Sequence, residues 1–501
     1  MKKKGMKNVF FGLLNQGITI VFGLILPRMF IMSYGSEVNG LISSVNQIYV
    51  YVALLEAGIG TASLQALYKT IAENDRDATN GVMSATNKFY RRTGISYLIV
   101  VVVLSFVYPL IVKSNIPYTT VCLVILLNGL GGVVNYFFQG KYRILLRAEG
   151  KNYLLSNLST VIYILTNFSK IVFIQLGFDI VVIQFSYFVF NLVQMLYITG
   201  YIKKNYKWIN LNVPPNTDAL SGKKSVFVHQ VTNLVFSNTD IIILTVFSGL
   251  KTVSVYALYN SFFNMLKSVL YSFLDGIQFA LGQTYNSDFN EFKLMQERFE
   301  ACYMTLTFML YTIMYILILP FVAIYTKGIT DINYVDYIVP LLFAIVFLLQ
   351  GARGPMQLVV EYAKHFKETR GQAIAEMTIN LGVTLVSVYH MGIYGVLIGT
   401  IVALLYRANA IILYVNKNIL QRNPLVTYKR WGWCAGIFLL VFLVNVKIPI
   451  VVKTFLDLIL IAVPASMIVI LVYLLGMFLF EKETFEWIIK KIKIQLQKKS
   501  V

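Results

Sequence analysis

The chain has 501 residues, of which only 13% are charged and 57% are hydrophobic. Soluble globular proteins average about 25% charged residues, so this composition excludes an ordinary soluble enzyme. The apolar residues form uninterrupted runs of about 20, the length that a helix needs to cross a bilayer. We therefore predict an all-α polytopic membrane protein. Its cysteines, Cys122, Cys302 and Cys434, are far apart and form no CxxC motif, which argues against disulfides or a thiolate metal site.

The apolar runs predict about 14 transmembrane helices. They lie at approximately residues 8–32, 39–63, 93–112, 118–138, 154–176, 180–201, 225–247, 253–279, 303–326, 337–360, 374–389, 391–414, 431–450 and 455–480. The segments between them are short, and the longest outer loop runs from about Thr326 to Asp336. The sequence therefore predicts no soluble domain and no large catalytic loop.

The basic residues are distributed unevenly between the two sides of the membrane. With the N-terminus in the cytoplasm, most of the 43 lysines and arginines lie on the inner side. Five lie in outer loops: Lys113, Lys251, Lys327, Lys447 and Lys453. This bias follows the positive-inside rule, so we predict that both termini are cytoplasmic. The net charge of +20 then reflects membrane topology, and the predicted partner is a lipid bilayer and not nucleic acid.

The two halves of the chain resemble each other at a shift of about 215 residues. The shift brings Gly177 onto Gly392, and Gly35 to within one residue of Gly249. Each half contains six spans, an even number, so both copies have the same orientation, as in transporters built from parallel repeats. We predict a six-helix lobe at 1–203, a cytoplasmic linker at 204–224, a second six-helix lobe at 225–418, an additional helix pair at 431–480 and a cytoplasmic amphipathic tail at 481–501.

The tail carries apolar residues at helical spacing opposite its lysines. These residues are Phe485, Ile488, Ile489, Ile492 and Leu496. The pattern is typical of a helix that lies in an anionic inner leaflet. A solvated basic end is the alternative.

Four predicted spans carry polar residues at steps of three or four, which places each set on one helix face. The sets are Ser156, Thr160, Tyr163, Asn167 and Lys170; His229, Asn233, Ser237 and Asp240; Asn260, Asn264, Lys267, Tyr271 and Asp275; and Glu376, Asn380, Thr384 and Ser387. Together they indicate an internal aqueous cavity. For the uncharged residues, hydrogen bonding between helices is the alternative.

Five basic residues lie within predicted spans, where a charge costs about 2.5–3.5 kcal/mol and usually faces a cavity or a partner. They are Arg28, Lys170, Lys267, Arg353 and Arg407. Snorkelling is the alternative for Arg28 and Arg407, and pairing with Asp275 for Lys267. The glycines and the proline around Arg353 predict a broken helix. We predict that an anionic substrate, such as a lipid diphosphate, binds Arg28, Lys170, Lys267 and Arg353.

The acidic residues within the spans are candidates for ion coupling: Glu56, Asp240, Asp275 and Glu376. A carboxylate beside amide oxygens can hold Na⁺, and a desolvated one can carry a proton. We predict cation coupling at Asp240 with Asn233 and at Glu376 with Asn380; pairing with basic residues is the alternative. The sequence contains no nucleotide-binding or catalytic motif. We therefore expect a Na⁺ or proton gradient as the energy source, with no cofactor and no other metal.

Several short motifs along the chain carry a family resemblance. They are Tyr34–Leu41 (YGSEVNGL), Leu54–Gly60 (LLEAGIG), Lys88–Arg92 (KFYRR), Arg147–Lys151 (RAEGK) and Asn238–Asp240 followed by Gly249. These motifs resemble the polysaccharide transporters of the multidrug/oligosaccharidyl-lipid/polysaccharide flippase superfamily. Within that family they are most similar to the bacterial flippases of lipid-linked capsule, exopolysaccharide or O-antigen repeat units. The resemblance covers the whole chain.

The resemblance implies two six-helix lobes, alternating access and a cationic cavity. It implies that the chain is not an enzyme and flips polyprenyl-diphosphate-linked oligosaccharides from the inner to the outer leaflet of the bacterial cytoplasmic membrane. Polysaccharide polymerases and glycosyltransferases are then expected partners. By the same resemblance, Arg28 matches the basic position of the family at the end of helix 1, and Asp240 matches its polar helix 7.

Two other functions are compatible with a polytopic membrane protein. A multidrug or other lipid exporter of the same superfamily is one alternative, but the basic residues in the spans are unsuited to cationic drugs. A membrane polymerase or ligase that acts on lipid-linked sugars is the other. Such enzymes are expected to present catalytic groups in a substantial outer loop, and the outer loops here are short.

Overall fold

All elements in the described part of the chain are helical. The computed structural model describes residues 2–56, 59–218, 234 and 238–499, without the side chains of residues 2–16, 272–273, 275–276, 279, 492 and 494–499. These ranges contain sixteen α-helices and no β-strand. The predicted all-α class is confirmed.

The first compact unit comprises residues 1–257. Its described helices are α1 (Lys2–Val52), α2 (Ile59–Ala72), α3 (Arg76–Ile111), α4 (Tyr118–Val134), α5 (Gly140–Ala148), α6 (Asn152–Gln175), α7 (Ile180–Asn205) and α8 (Asn238–Phe247). A 3₁₀ turn (Ala53–Glu56) follows α1, and a π-helical turn (Asn135–Gln139) joins α4 to α5. The core contains fully buried apolar side chains from several helices, among them Leu41, Leu67 and Val101.

The second compact unit comprises residues 258–501. It contains most of α9 (Leu250–Ser287), then α10 (Phe289–Tyr325), α11 (Val339–Ala363), α12 (Phe366–Met391), α13 (Ile393–Tyr414), α14 (Leu425–Lys447), α15 (Phe455–Phe480) and α16 (Lys482–Lys499). A π-helical turn (Val415–Ile419) follows α13. Leu281, Phe292, Met356 and Ile411 lie in one buried apolar cluster of this unit.

Ten stretches of the described helices are long and apolar enough to cross a membrane. They are Gly17–Glu56, Arg76–Ile111, Tyr118–Ala148, Asn152–Gln175, Ile180–Asn205, Phe289–Tyr325, Val339–Ala363, Ile393–Ile419, Leu425–Lys447 and Phe455–Phe480. The chain is thus a multi-pass membrane protein. The predicted count of about 14 spans and the predicted domain boundaries stay predictions, because most of the span predicted at 225–247 lies outside the described residues.

The glycines that the predicted repeat pairs with each other share an unusual backbone conformation. Gly35 divides α1 with a φ of 81°, and Gly249 precedes α9 with a φ of 82°. Gly177 precedes α7 with a φ of 74°, and Gly392 separates α12 from α13 with a φ of 52°. A positive φ is costly for a residue with a Cβ atom. The same backbone requirement at paired positions supports the internal repeat.

Helix α11 runs without a break through the glycines and the proline around Arg353. The prediction of a broken helix at this position is therefore wrong. A Cβ atom on Gly351 would lie 2.3 Å from Cγ2 of Thr307, and one on Gly354 would lie 3.2 Å from the ring of Tyr303. The glycines serve close packing of α11 against α10, the usual role of small residues between membrane helices.

Gly40 lies in α1 against the backbone at the start of α9, and its replacement by alanine is expected to destabilise the protein. A Cβ atom on Gly40 would lie 1.9 Å from the carbonyl oxygen of Leu250. Backbone cannot move aside as a flexible side chain can, so overpacking should cost about 1–3 kcal/mol. Thermal unfolding of the purified protein in detergent would measure the loss.

Gly17 provides the matched control on the same helix, because a Cβ atom there would meet no atom of the described residues within 4 Å. Gly17→Ala should leave the unfolding temperature unchanged or slightly higher, since alanine favours a helix. If Gly40→Ala unfolds at the same temperature as Gly17→Ala, the close packing of α1 on α9 is wrong.

Candidate functional site

The predicted substrate-binding residues of the first unit are Arg28 on α1 and Lys170 on α6. Both side chains are half-buried, and Arg28 directly follows Pro27. The Lys170 ammonium lies 5.5 Å from the centroid of the Tyr187 ring on α7. An aromatic face attracts a cation through its quadrupole. Lys170 is thus held by a contact that does not neutralise its charge.

The other polar residues of the α6 stripe bond mainly to their own helix. The hydroxyl of Thr160 donates to the carbonyl of Ser156 at 2.9 Å, and the amide of Asn167 donates to the carbonyl of Tyr163 at 2.9 Å. These bonds satisfy the side-chain donors without joining α6 to another helix. Tyr163 of the same stripe also hydrogen-bonds Thr19 on α1, so the stripe contains a bond between helices beside these intrahelical ones.

In the second unit, Lys267 on α9 has a neutral hydrogen-bond acceptor. Its ammonium donates to Oε1 of Gln350 on α11 at 2.9 Å and lies 5.6 Å and 5.8 Å from the ring centroids of Tyr271 and Phe347. The side chain of Asp275, the alternative partner, lies outside the described residues. Arg353 follows Gln350 by three residues on the same face of α11, so the structure brings Lys267 and Arg353 close together.

Arg353 and Arg407 share one buried carboxylate. Nη1 of Arg353 donates to Oε1 of Glu376 at 2.5 Å, and Nε of Arg407 lies 3.4 Å from Oε2 of the same residue. Arg407 also donates to Oε1 of Gln372 on α12 at 2.8 Å. Arg407 is almost fully buried, so it binds within the helix bundle and does not snorkel.

This ion-pair triad, Arg353, Glu376 and Arg407, joins α11, α12 and α13. It contains two guanidinium groups and one carboxylate, so the triad itself carries one net positive charge. The contacts favour the alternative in which Glu376 pairs with basic residues. The predicted substrate-binding role of Arg353 and the predicted coupling role of Glu376 stay predictions.

Asn380 lies one helical turn after Glu376 on α12 and is buried. Its amide donates to the hydroxyl of Thr400 on α13 at 3.0 Å. The amide nitrogen therefore has a partner on the next helix, and the residue lies on the same buried face of α12 as Glu376. This geometry places the second predicted coupling pair, Glu376 and Asn380, on one face.

The other predicted coupling carboxylate, Asp240, belongs to the first unit. It is buried on α8, and its Oδ2 accepts a hydrogen bond from the hydroxyl of Tyr256 on α9 at 2.8 Å. The hydroxyl of Tyr51 bonds the neighbouring Thr239 at 2.5 Å. Asn233, the predicted partner of Asp240, lies outside the described residues, as do His229 and Ser237.

The sequence reasoning missed a second charged cluster in the second unit. Glu300 on α10 is almost fully buried and pairs with Arg422 and with Arg430, whose Nη1 lies 3.1 Å from its Oε2. The hydroxyl of Thr427 donates to Oε1 of Glu300 at 2.6 Å. Arg430 also holds Glu481 through two bonds of 2.8 Å and 3.0 Å. This network connects α10 and α14 to the start of α16.

A sequence signal for the network does exist. Glu297 and Glu300 stand at i and i+3 on one face of α10, at the basic inner end of the predicted topology. Acidic residues in such a place indicate partners among the local arginines. The positive-inside count treated Arg430 only as a marker of orientation, so the pairing was not predicted.

The motif Arg147–Lys151 begins in the last residues of α5 and forms the tight turn between α5 and α6. Glu149 pairs with the ammonium of Lys151 at 2.8 Å, and the same ammonium lies 2.8 Å from the hydroxyl of Tyr206, which bonds Glu149. Burial and the hydrogen bond to Glu149 raise the pKa of Tyr206 to about 12. The motif therefore fixes the turn between α5 and α6 against the end of α7.

Glu56, the remaining acidic candidate, accepts hydrogen bonds from the hydroxyls of Tyr90 and Tyr136. Arg143 and Arg147 act on it electrostatically. Two hydroxyl donors satisfy a half-buried carboxylate well. In the first unit this carboxylate is thus part of a polar cluster around the end of α1.

Comparisons with known proteins identify the fold. No protein-family model matches the chain, and no curated protein matches it. The structure is similar to the lipid II flippase MurJ in an inward closed conformation, with 13% identity over 95% of this chain and 99% of that chain and a TM-score of 0.71. It is also similar to an inward-facing multidrug resistance MATE family transporter of the MOP superfamily, with 14% identity, 79% and 94% coverage and a TM-score of 0.64.

An outward-facing MATE family transporter of the same superfamily gives 15% identity, 81% and 94% coverage and a TM-score of 0.53. At such identities the likeness shows the fold alone. The fold is that of MurJ and the MATE transporters, and it is the fold that the resemblance of the sequence motifs implied. These neighbours are flippases and transporters, not enzymes.

Proposed function

We propose that this protein flips polyprenyl-diphosphate-linked oligosaccharide repeat units from the inner to the outer leaflet of the bacterial cytoplasmic membrane by alternating access. The proposal rests above all on the net positive triad of the second unit, with Lys267 beside it, all four at positions within predicted spans. MurJ, which shares the fold, is a flippase of lipid II, and we carry a lipid-linked substrate over to this chain.

The chemistry of the basic residues suits a diphosphate. Guanidinium groups bind phosphate oxygens through paired hydrogen bonds, and lysine acts as a point charge. Charges within a membrane are costly and usually functional. Lys170 and Lys267 are held by aromatic rings and an amide, contacts that leave their charge available to an anion. We assign diphosphate binding to Arg28, Lys170, Lys267 and Arg353.

We infer that a Na⁺ or proton gradient drives the cycle. The candidate carboxylates are Asp240 in the first unit and Glu376 with Asn380 in the second. Binding of a cation to a buried carboxylate in only one conformation would shift the population toward it, and this differential affinity is what couples the ion to transport. In this account, glycosyltransferases supply the lipid-linked substrate and a polysaccharide polymerase consumes it.

Replacing Lys170 or Lys267 by glutamine is expected to lower flipping at least tenfold. Each variant loses a charge-assisted bond to the diphosphate worth about 1.5–3 kcal/mol, which corresponds to roughly ten- to hundredfold. The measurement is flipping in proteoliposomes of a polyprenyl-diphosphate oligosaccharide whose fluorophore is reduced by external dithionite. Lys203→Gln removes the same charge from an exposed position on α7 and should flip at the wild-type rate.

Wild-type flipping by both variants would remove the diphosphate assignment. The multidrug alternative predicts instead that the protein exports a cationic drug, although the same lysines would repel such a drug. If the wild-type protein exports a cationic dye and does not flip the lipid-linked oligosaccharide, the drug transporter function should replace the proposed one.

A further inference from the structure

The C-terminal helix α16 must begin at the membrane surface. Helix α15 spans the membrane as Phe455–Phe480, and α16 starts two residues later at Lys482. Such a short connection cannot carry the start of α16 away from the interface, since one residue covers at most about 3.6 Å. The position of the helix is therefore set by the span before it.

The orientation of α16 is fixed by contacts with the second unit. Glu481 accepts two bonds from the guanidinium of Arg430, a bidentate pair that restricts rotation. The guanidinium of Arg298 on α10 lies 5.1 Å from the ring centroid of Trp487. The ring of Phe485 packs edge-to-face on Phe478 at 5.6 Å. The first turns of α16 are thus docked on the protein.

The exposed surface of α16 combines lysines with apolar side chains. Lys490, Lys491 and Lys493 are exposed. Trp487 is 36% exposed and Ile489 is 40% exposed, although water is an unfavourable environment for both. The two acidic residues of the helix, Glu483 and Glu486, lie in its first half. A basic and apolar surface at an interface is typical of a helix that binds lipid headgroups.

We propose that α16 binds anionic phospholipids of the leaflet at which α15 ends, with Lys490, Lys491 and Lys493 on the headgroups and Ile489 at the acyl boundary. Charge complementarity selects this occupant: a negatively charged lipid surface attracts lysines within a Debye length, and salt weakens the attraction. The proposal concerns the lipid surface and is independent of the transported substrate.

The test uses the full chain in vesicles, with a single environment-sensitive fluorophore on α16. Ile489→Cys is labelled in a background with Cys122→Ser, Cys302→Ala and Cys434→Ala. The vesicles contain either phosphatidylcholine alone or phosphatidylcholine with phosphatidylglycerol, together with a lipid-attached quencher. Quenching is expected to be stronger in the anionic vesicles than in the neutral ones. It should fall when the salt concentration is raised from about 0.05 to about 0.5 M, because electrostatic screening becomes strong over this range.

The variant with Lys490, Lys491 and Lys493 replaced by glutamine should lose most of the difference in quenching, because each lysine near such a surface contributes about a fivefold change in affinity. The matched control replaces Lys203, Lys204 and Lys207, three exposed lysines of the first unit, by glutamine. It should retain the difference in quenching between the two vesicle types. Equal quenching in both vesicle types, or in both triple variants, overturns the proposal. The proposal is also overturned if the label at position 489 is protected from water only in native membranes, because this result indicates a protein partner and not lipid.

Discussion

Glu300→Gln is expected to lower the free energy of unfolding by about 3–5 kcal/mol, the usual cost of breaking a buried ion pair by removing one partner. The wild-type carboxylate is almost fully buried and compensates the guanidinium groups of Arg422 and Arg430. Glutamine has nearly the same shape, but its neutral amide cannot compensate the buried Arg430 and the half-buried Arg422. Thermal unfolding of the purified protein in detergent would measure the loss.

Glu297 supplies the matched control, because it lies one turn earlier on α10 and pairs with the same two arginines while its side chain is 41% exposed. Solvent screens an exposed pair, so Glu297→Gln should cost less than about 1 kcal/mol. Equal stability of the two variants would show that burial of Glu300 does not make the network stabilising.

The helices and the membrane class were accessible from sequence because the bilayer imposes them. A spanning segment needs about 20 apolar residues and must satisfy its own backbone hydrogen bonds, and both requirements are visible in composition. The predicted repeat also paired Gly177 with Gly392, and both have the positive φ that glycine tolerates. These features depend on single segments and not on which segments meet.

Partners across helices could not be predicted in the same way. Periodicity places Glu376 on one face of α12, but it does not say which neighbouring helix that face meets. The structure shows that this face meets Arg353 on α11 and Arg407 on α13, the helices that precede and follow α12 in the sequence. The ion pairs of Arg430 were not predicted for a different reason. Its positive charge was already explained by its position on the inner side of the membrane. Side-chain pairing therefore needs the helix packing, which the sequence pattern does not contain.

The motif Tyr34–Leu41, which carries part of the family resemblance, forms contacts within the first unit. Its residues serve structure: Glu37 accepts two bonds from Asn115, at 2.9 Å and 3.1 Å, and the amide of Asn39 donates to the hydroxyl of Ser254 at 2.7 Å. Gly40 permits the close approach described above. These contacts are packing and hydrogen-bond contacts within the first unit, and the fold is the one that the motif implied.

Glu376→Gln is expected to destabilise the protein by about 3–5 kcal/mol, because Arg353 and Arg407 both lose their carboxylate. The double variant Glu376→Gln with Arg407→Gln should recover part of this loss, because the buried charge of Arg407 is removed together with the carboxylate, while the half-buried Arg353 keeps its charge. It also has the same net charge as the wild-type triad. A double-mutant cycle of thermal unfolding measures the coupling energy between the two residues.

The recovered double variant separates the structural role of Glu376 from its proposed role in coupling. If the carboxylate carries the driving cation, the stable double variant should still flip the lipid-linked oligosaccharide without acceleration by a Na⁺ or proton gradient. Asp240 remains in this variant, so any gradient response that survives comes from another site. If either gradient accelerates flipping by the double variant as much as flipping by the wild-type protein, Glu376 serves only the ion pairs. The reason is that a cation cannot shift the conformational equilibrium by binding to a residue that is absent.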